Sequence, residues 1–160
     1  MPIVYVINGP SGAGKTYGVH QFMKDNNLTG DIYDFDALGV EHRGDQLIRE
    51  FGEWYTDLVF FAYNRMRSSI INNRNVFFVT SLYEAYQRHN LNEVLQHLKV
   101  PIIFVYFDVS LQRCLQNNAS KKFRSMGRRL NEDIVVRYNR IEPITYYEDL
   151  NFIIYKPRYV

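Results

Sequence analysis

The chain has 160 residues, 46% hydrophobic and 22% charged, a balance that excludes disordered and fibrous classes and suits one globular domain with its own core. Net charge is +2 but unevenly spread: residues 1–112 hold 9 basic and 12 acidic side chains, whereas residues 113–160 hold 10 and 5. The single cysteine, Cys114, excludes an intrachain disulfide and a cysteine-based zinc site, and it fits a reducing cytoplasm.

Residues 3–7 form a continuous apolar, β-branched run, the pattern of a strand buried on both faces. The run is too short to span a bilayer and no charged segment leads into a signal-type apolar core, so a soluble, cytoplasmic protein is expected. Gly9-Pro10-Ser11-Gly12-Ala13-Gly14-Lys15-Thr16 follows at once and satisfies G-x-x-x-x-G-K-[ST] at every fixed position. A helix is predicted over 15–26, so the motif stands between a buried strand and a helix, the context it requires. Glycines let the backbone curl until successive N–H groups of Gly9, Ser11, Gly12, Ala13 and Gly14 face phosphate oxygens, and the helix adds its positive end. Lys15 is placed to reach the β- and γ-phosphates and the Thr16 hydroxyl to ligate Mg²⁺. Nucleoside triphosphate binding is expected, with ATP and Mg²⁺ as the cofactors.

A second strand is predicted over 32–35 after a turn at Gly30, and it runs into Asp34-Phe35-Asp36. In an extended segment the two carboxylates point to the same side. They stand at the strand's carboxyl end, on the edge where open α/β sheets bind ligands. Phosphoryl transfer to an alcohol needs a carboxylate that orients the hydroxyl and accepts its proton, and this pair supplies one. Residues 45–72 form a long helical pattern rich in rings. Trp54, Tyr55, Phe60, Phe61 and Tyr63 could flank an acceptor base, but their spacing favours a core face. The strand predicted over 76–79 leads into Thr80-Ser81-Leu82, so no carboxylate stands at its end and the metal must depend on Thr16, phosphates and water, with Asp34 or the Thr80 and Ser81 hydroxyls as further candidates.

A helix over 84–98, a buried strand over 102–107, a helix capped by Ser110 and reaching towards Asn118, a helix over 131–140 and a last strand over 152–155 complete the pattern. Apolar strands alternating with helices indicate an α/β three-layer domain with a parallel sheet covered on both faces. Between residues 113 and 140 lie eight basic side chains against Glu132 and Asp133. The four histidines share no metal-ligand spacing.

The phosphate loop, the acidic pair and the basic stretch, in this order, resemble the small P-loop kinases, particularly polynucleotide kinases, shikimate and gluconate kinases and related bacteriophage nucleic-acid kinases. The resemblance also rests on Phe107-Asp108-Val109-Ser110-Leu111-Gln112-Arg113-Cys114-Leu115, on the basic segment 120–130 with Gly127 as a hinge, and on residues 131–143 ending at Pro143. It implies a five-stranded parallel sheet of order 2-3-1-4-5 and a basic lid over about residues 120–131 that closes on ATP. It also implies an Asp that contacts the acceptor hydroxyl: Asp36 is assigned that role and Asp34 the metal or its surroundings, with the reverse left open. Arg124 and Arg128 are the lid arginines chosen to neutralise charge on the γ-phosphoryl group, with Arg129 as substitute. Arg88 matches an arginine of the polynucleotide kinase pattern and equally reads as a surface helix residue. Lys121, Lys122, Arg137 and Arg140 exceed what ATP needs and support a nucleic acid or nucleotide-like acceptor, phosphorylated at a 5′-hydroxyl or a hydroxymethylated base. The alternatives are a small-metabolite or nucleoside kinase and a non-catalytic ATP-binding module.

Overall fold

The computed structural model describes residues 1–10, 12–35, 51–119, 131–145 and 149–158, the side chains of 51–59 excepted. Five strands pair in parallel throughout: β1 (Val4–Asn8), β2 (Gly30–Asp34), β3 (Asn75–Val79), β4 (Ile102–Phe107) and β5 (Phe152–Tyr155), in the order β2-β3-β1-β4-β5. Five helices are described: α1 (Lys15–Asp25), α2 (Phe51–Ile71), α3 (Ala85–Gln96), α4 (Leu111–Ala119) and α5 (Asn131–Arg140). Sheet order and layering match the P-loop kinase fold that the resemblance implied.

The apolar strand runs are continuous because both faces of the sheet are covered. Val4 and Val6 of β1, Val76 and Phe78 of β3 and Phe104 of β4 join Ala62 and Met66 of α2 and Leu91 and Leu95 of α3 in one core. The alternate residues Tyr5, Ile7, Phe77, Val79, Val105 and Phe107 join Val19 and Phe22 of α1, Cys114 of α4 and Ile134 of α5 in the other. Much of the aromatic excess is spent there. Tyr5 stacks on Phe77 with ring centroids 5.0 Å apart, and Phe22 meets both Tyr5 and Tyr155 edge-on.

Some details differ from the sequence reading. Gly30, expected as a turn, opens β2, because Gly30 and Asp31 pair with Asn75 and Val76 and extend the strand upstream. Among the rings expected to form a core face, Phe61 and Tyr63 pack against the core, but Phe60 is 57% exposed. Trp54 and Tyr55 lie outside the described side chains.

Candidate functional site

Chain order sets the place of the site. From β1 the chain builds β2 and β3 on one side of it, and β4 and β5 on the other, so the loop after β1 sits at the point where strand order reverses, over the sheet's carboxyl edge. That loop is the glycine-rich motif. Gly9 and Gly12 adopt φ of +154° and +86°, where L side chains are strained, and both lack room as well. A Cβ on Gly9 would lie 2.9 Å from Phe107 Cβ, and one on Gly12 would lie 2.9 Å from the Cys114 carbonyl oxygen. The loop is therefore pressed against the end of β4 and against α4. Asn117 of α4 fastens it further, its Nδ2 donating to the Gly12 carbonyl at 2.9 Å.

Gly14 caps α1 in the left-handed conformation, and Lys15, the first helical residue, is buried. A buried ammonium is costly unless hydrogen-bonded. Lys15 Nζ donates to the Gly9 carbonyl at 2.8 Å, the Pro10 carbonyl at 2.9 Å and Ser81 Oγ at 2.9 Å. The Ala13 N–H donates to the Pro10 carbonyl at 3.1 Å. Beside them, Thr16 Oγ1 donates to Asp34 Oδ2 at 3.1 Å, which joins the motif to the end of β2. Asp34 is the last residue of β2, so the strand delivers its carboxylate to the loop.

The segment after β3 is held from several sides. The Thr80 N–H donates to the Ile7 carbonyl at 2.9 Å, and the Leu82 N–H donates to Oδ1 of the buried Asn8 at 2.8 Å. Gln87 Oε1 accepts from the N–H groups of Tyr83 and Glu84. From α5, Arg137 Nη1 donates to the Tyr83 hydroxyl at 2.8 Å. Arg140 lies over the Tyr83 ring, 5.0 Å from its centroid, and pairs with Glu84 at 3.2 Å. Arg137 and Arg140, read from sequence as surplus charge for an acceptor, thus have partners inside the protein.

Of the site residues expected from sequence, the structure brings together Gly9, Gly12, Ala13, Gly14, Lys15, Thr16 and Asp34. Ser11, Asp36, Arg124 and Arg128, with the substitute Arg129, lie outside the described residues. Arg88 is fully buried on α3, which rules out a surface arginine. Its charge acts on Tyr106 of β4, whose phenol is nonetheless pushed up by burial. Cys114, beneath the loop, has its thiol pushed up to about 11 by burial and is neutral at physiological pH. Among the described residues no group of three or more His, Cys, Asp or Glu could hold a metal ion by itself. No described helix is long and apolar enough to cross a membrane. Sequence reasoning missed Asn8, Asn117 and Tyr83. A polar residue ending a buried strand is a signal for Asn8, whereas nothing in local spacing points to Asn117.

The model of an AAA-domain family, AAA_33, matches residues 4–140. The chain belongs to that family. Solved structures similar to this AAA domain include a sugar kinase from Janibacter sp., with 15% identity, a TM-score of 0.66, and coverage of 98% of this chain and 86% of that one. A gluconokinase from Sinorhizobium meliloti has 14% identity, a TM-score of 0.65, and coverage of 99% and 85%. The APS kinase CysC of Mycobacterium tuberculosis, solved with AMPPNP and APS, has 17% identity, a TM-score of 0.56, and coverage of 74% and 69%. At these identities the likeness is one of fold. Among curated proteins, none matches the chain in sequence.

Proposed function

We propose that the protein is an ATP-dependent phosphotransferase that moves the γ-phosphoryl group to a hydroxyl of its acceptor. The observation that carries this reading is the buried Lys15 ammonium inside a glycine loop at the sheet's carboxyl edge, with the Thr16–Asp34 pair beside it. The loop N–H groups, the start of α1 and Lys15 bind the triphosphate. Mg²⁺ suits the donor set: Thr16 Oγ1 donates its hydrogen bond to Asp34, which leaves its lone pairs open to a cation, and one or two protein oxygens beside phosphates and water are a common way of holding this ion. When bound, the ion neutralises charge on the phosphate oxygens.

In the transfer, the acceptor oxygen bonds to the γ-phosphorus as the bond from that phosphorus to the β,γ-bridging oxygen breaks. ADP leaves, and the hydroxyl proton passes to a carboxylate. Asp36 is assigned that proton and Asp34 the metal; Asp34's bond to Thr16 supports this division. Arg124 and Arg128 are the lid residues assigned to the γ-phosphoryl oxygens. The similar fold of a kinase solved with AMPPNP supports ATP as donor.

For the acceptor, the basic segment 120–130 supports a nucleic acid or a nucleotide-like alcohol. A second reading, a small-metabolite kinase, is favoured by a particular observation: Arg137 and Arg140 are engaged by Tyr83 and Glu84, which lowers the cationic surplus available to a polyanion. The similar folds of a sugar kinase and a gluconokinase support the same reading. Labelled-ATP transfer to 5′-hydroxyl DNA and RNA, hydroxymethylated-base DNA, nucleosides, sugars and sugar acids separates the two. Steep salt dependence marks the polyanion, and saturation by a free sugar or sugar acid marks the metabolite. Absence of transfer to every acceptor with ATP binding intact overturns the phosphotransferase reading and leaves an ATP-binding module.

A further inference from the structure

The end of β3 has no carboxylate, yet it reaches the phosphate site through a hydroxyl. Ser81 lies two residues past the strand, and its Oγ accepts from Lys15 Nζ at 2.9 Å. Among the described oxygens that accept from the ammonium, those of Gly9 and Pro10 belong to the phosphate loop itself. Ser81 Oγ comes from the segment after β3 and ties the ammonium to the sheet.

Ser81 is itself fixed. On one side of it Thr80 is bonded through its N–H to the Ile7 carbonyl, and on the other Leu82 is bonded through its N–H to Asn8 Oδ1. Both anchors are the last residues of β1, immediately before the loop. Asn8 is 1% exposed, so its amide is not diverted to solvent. Beyond Leu82, Tyr83 and Glu84 are held by Gln87, Arg137 and Arg140. A hydrogen bond from a charged donor to so rigid an acceptor fixes position at little further entropic cost.

We propose that Ser81 is the positioning residue for Lys15. From the end of β3 it holds the ammonium where the β- and γ-phosphates arrive, with Asn8 keeping the Ser81–Leu82 peptide in place. The proposal rests on the reading of Lys15 as a triphosphate ligand, and the test separates the two.

Binding of a fluorescent ATP analogue is measured on the full chain for the parent, Ser81→Ala, Ser81→Thr, Lys15→Ala and the double variant, with melting curves alongside. Ser81→Ala is expected to weaken binding about tenfold in the parent and less than twofold in Lys15→Ala, because a residue acting through Lys15 has nothing to act on once the ammonium is gone. Ser81→Thr restores the hydroxyl and is expected to stay within about threefold of the parent. Adenosine and AMP binding is expected to be unchanged, since Lys15 is assigned to the outer phosphates. If Ser81→Ala melts early, Ser81→Cys replaces it in the same comparison. Parent-like ATP binding by folded Ser81→Ala (or by Ser81→Cys where it replaces it), or equal effects with and without Lys15, overturns the proposal. If Lys15→Ala itself leaves ATP binding unchanged, it is the phosphate-loop reading that fails, and the proposal falls with it.

Discussion

The two ends of α1 hold charge in opposite ways. At its start, the Lys15 ammonium is buried and, among the described residues, donates to the Gly9 and Pro10 carbonyls and the Ser81 hydroxyl. At its end, the Asp25 carboxylate meets an opposite charge. Both of its oxygens accept from the Arg158 guanidinium, at 2.9 and 2.8 Å, and the Tyr155 hydroxyl lies 2.8 Å from it. Gln21 completes that cluster, accepting from the Arg158 N–H at 2.8 Å. The Arg158 side chain is 64% exposed, so salt and water weaken the pair. The first arrangement buries a positive charge within the glycine loop, where the triphosphate is proposed to bind, while the second uses its charges to fasten the chain after β5 against α1. Substitutions at the start should therefore change function, and substitutions at the end should change only stability.

The largest expected effect follows from removing the buried charge. Lys15→Ala should lower phosphoryl transfer by about 100- to 1,000-fold, in line with the loss of one preorganised electrostatic group at a reacting centre. Its melting temperature should stay near that of the parent, since water entering the space vacated by the ammonium pairs with the carbonyls and Ser81. A transfer rate within a few-fold of the parent would contradict the difference drawn between the two ends of the helix.

Next in size is the loop that surrounds the ammonium. Gly12→Ala forces a Cβ onto a residue at φ +86° and to within 2.9 Å of the Cys114 carbonyl. Denaturant unfolding should show a loss of about 1–3 kcal/mol, the usual cost of a sparsely populated backbone conformation, accompanied by weaker ATP binding. A smaller and more selective effect is expected beside the loop. Asp34→Asn keeps an oxygen near Thr16 but removes its charge, so half-maximal activity should need about tenfold more Mg²⁺, with ATP affinity in the absence of the ion nearly unchanged. Equal loss with and without Mg²⁺ would assign Asp34 a role other than the metal.

These residues differ in how far the sequence revealed them. The glycines, Lys15 and Thr16 lie within eight consecutive positions, and their chemistry demands that spacing, so they are readable in one dimension. The strands are equally readable, because a sheet covered on both faces needs unbroken apolar runs such as residues 3–7 and 102–107. Asp34 was legible as a residue at a strand end, but its bond to Thr16 depends on β2 being separated from β1 by β3 in the sheet, an order that came from family resemblance rather than from residue pattern. Ser81 meets Lys15 across 66 positions and Asn117 meets Gly12 across 105. No local periodicity encodes such contacts, since they arise only when parallel crossovers bring strand ends to one edge. The partners of the basic residues are hidden for a related reason. Arg137 and Arg140 read as surplus charge in a sequence, and only the docking of α5 shows that Tyr83 and Glu84 engage their guanidinium groups.

A chemical probe sharpens the comparison from below the loop. Cys114 is fully buried and its thiol is pushed up to about 11, so at pH 8 it is both neutral and inaccessible. Alkylation of the native protein should be undetectable over minutes and become rapid in denaturant. Fast labelling without denaturant would mean that α4 parts readily from the loop, and Asn117 could not then hold Gly12.

The smallest effect belongs to the far end of α1, and its sign is set by the titration of Asp25. The Arg158 guanidinium first, and the Tyr155 hydroxyl second, hold the Asp25 carboxyl below its ordinary value in the folded chain. A carboxyl that is more acidic folded than unfolded stabilises the fold above its unfolded pKa, and that contribution fades as pH falls through the folded value. Arg158→Ala removes the leading cause, so the variant should melt slightly below the parent at pH 7, and the gap should narrow as pH is lowered below the usual carboxylate range. High salt should narrow it as well, because the pair is largely exposed. ATP binding should be the same in both proteins at every pH tested. A change in ATP affinity from Arg158→Ala would show that the fastening at the end of α1 is felt at Lys15, and the two ends of the helix would then have to be treated as one device.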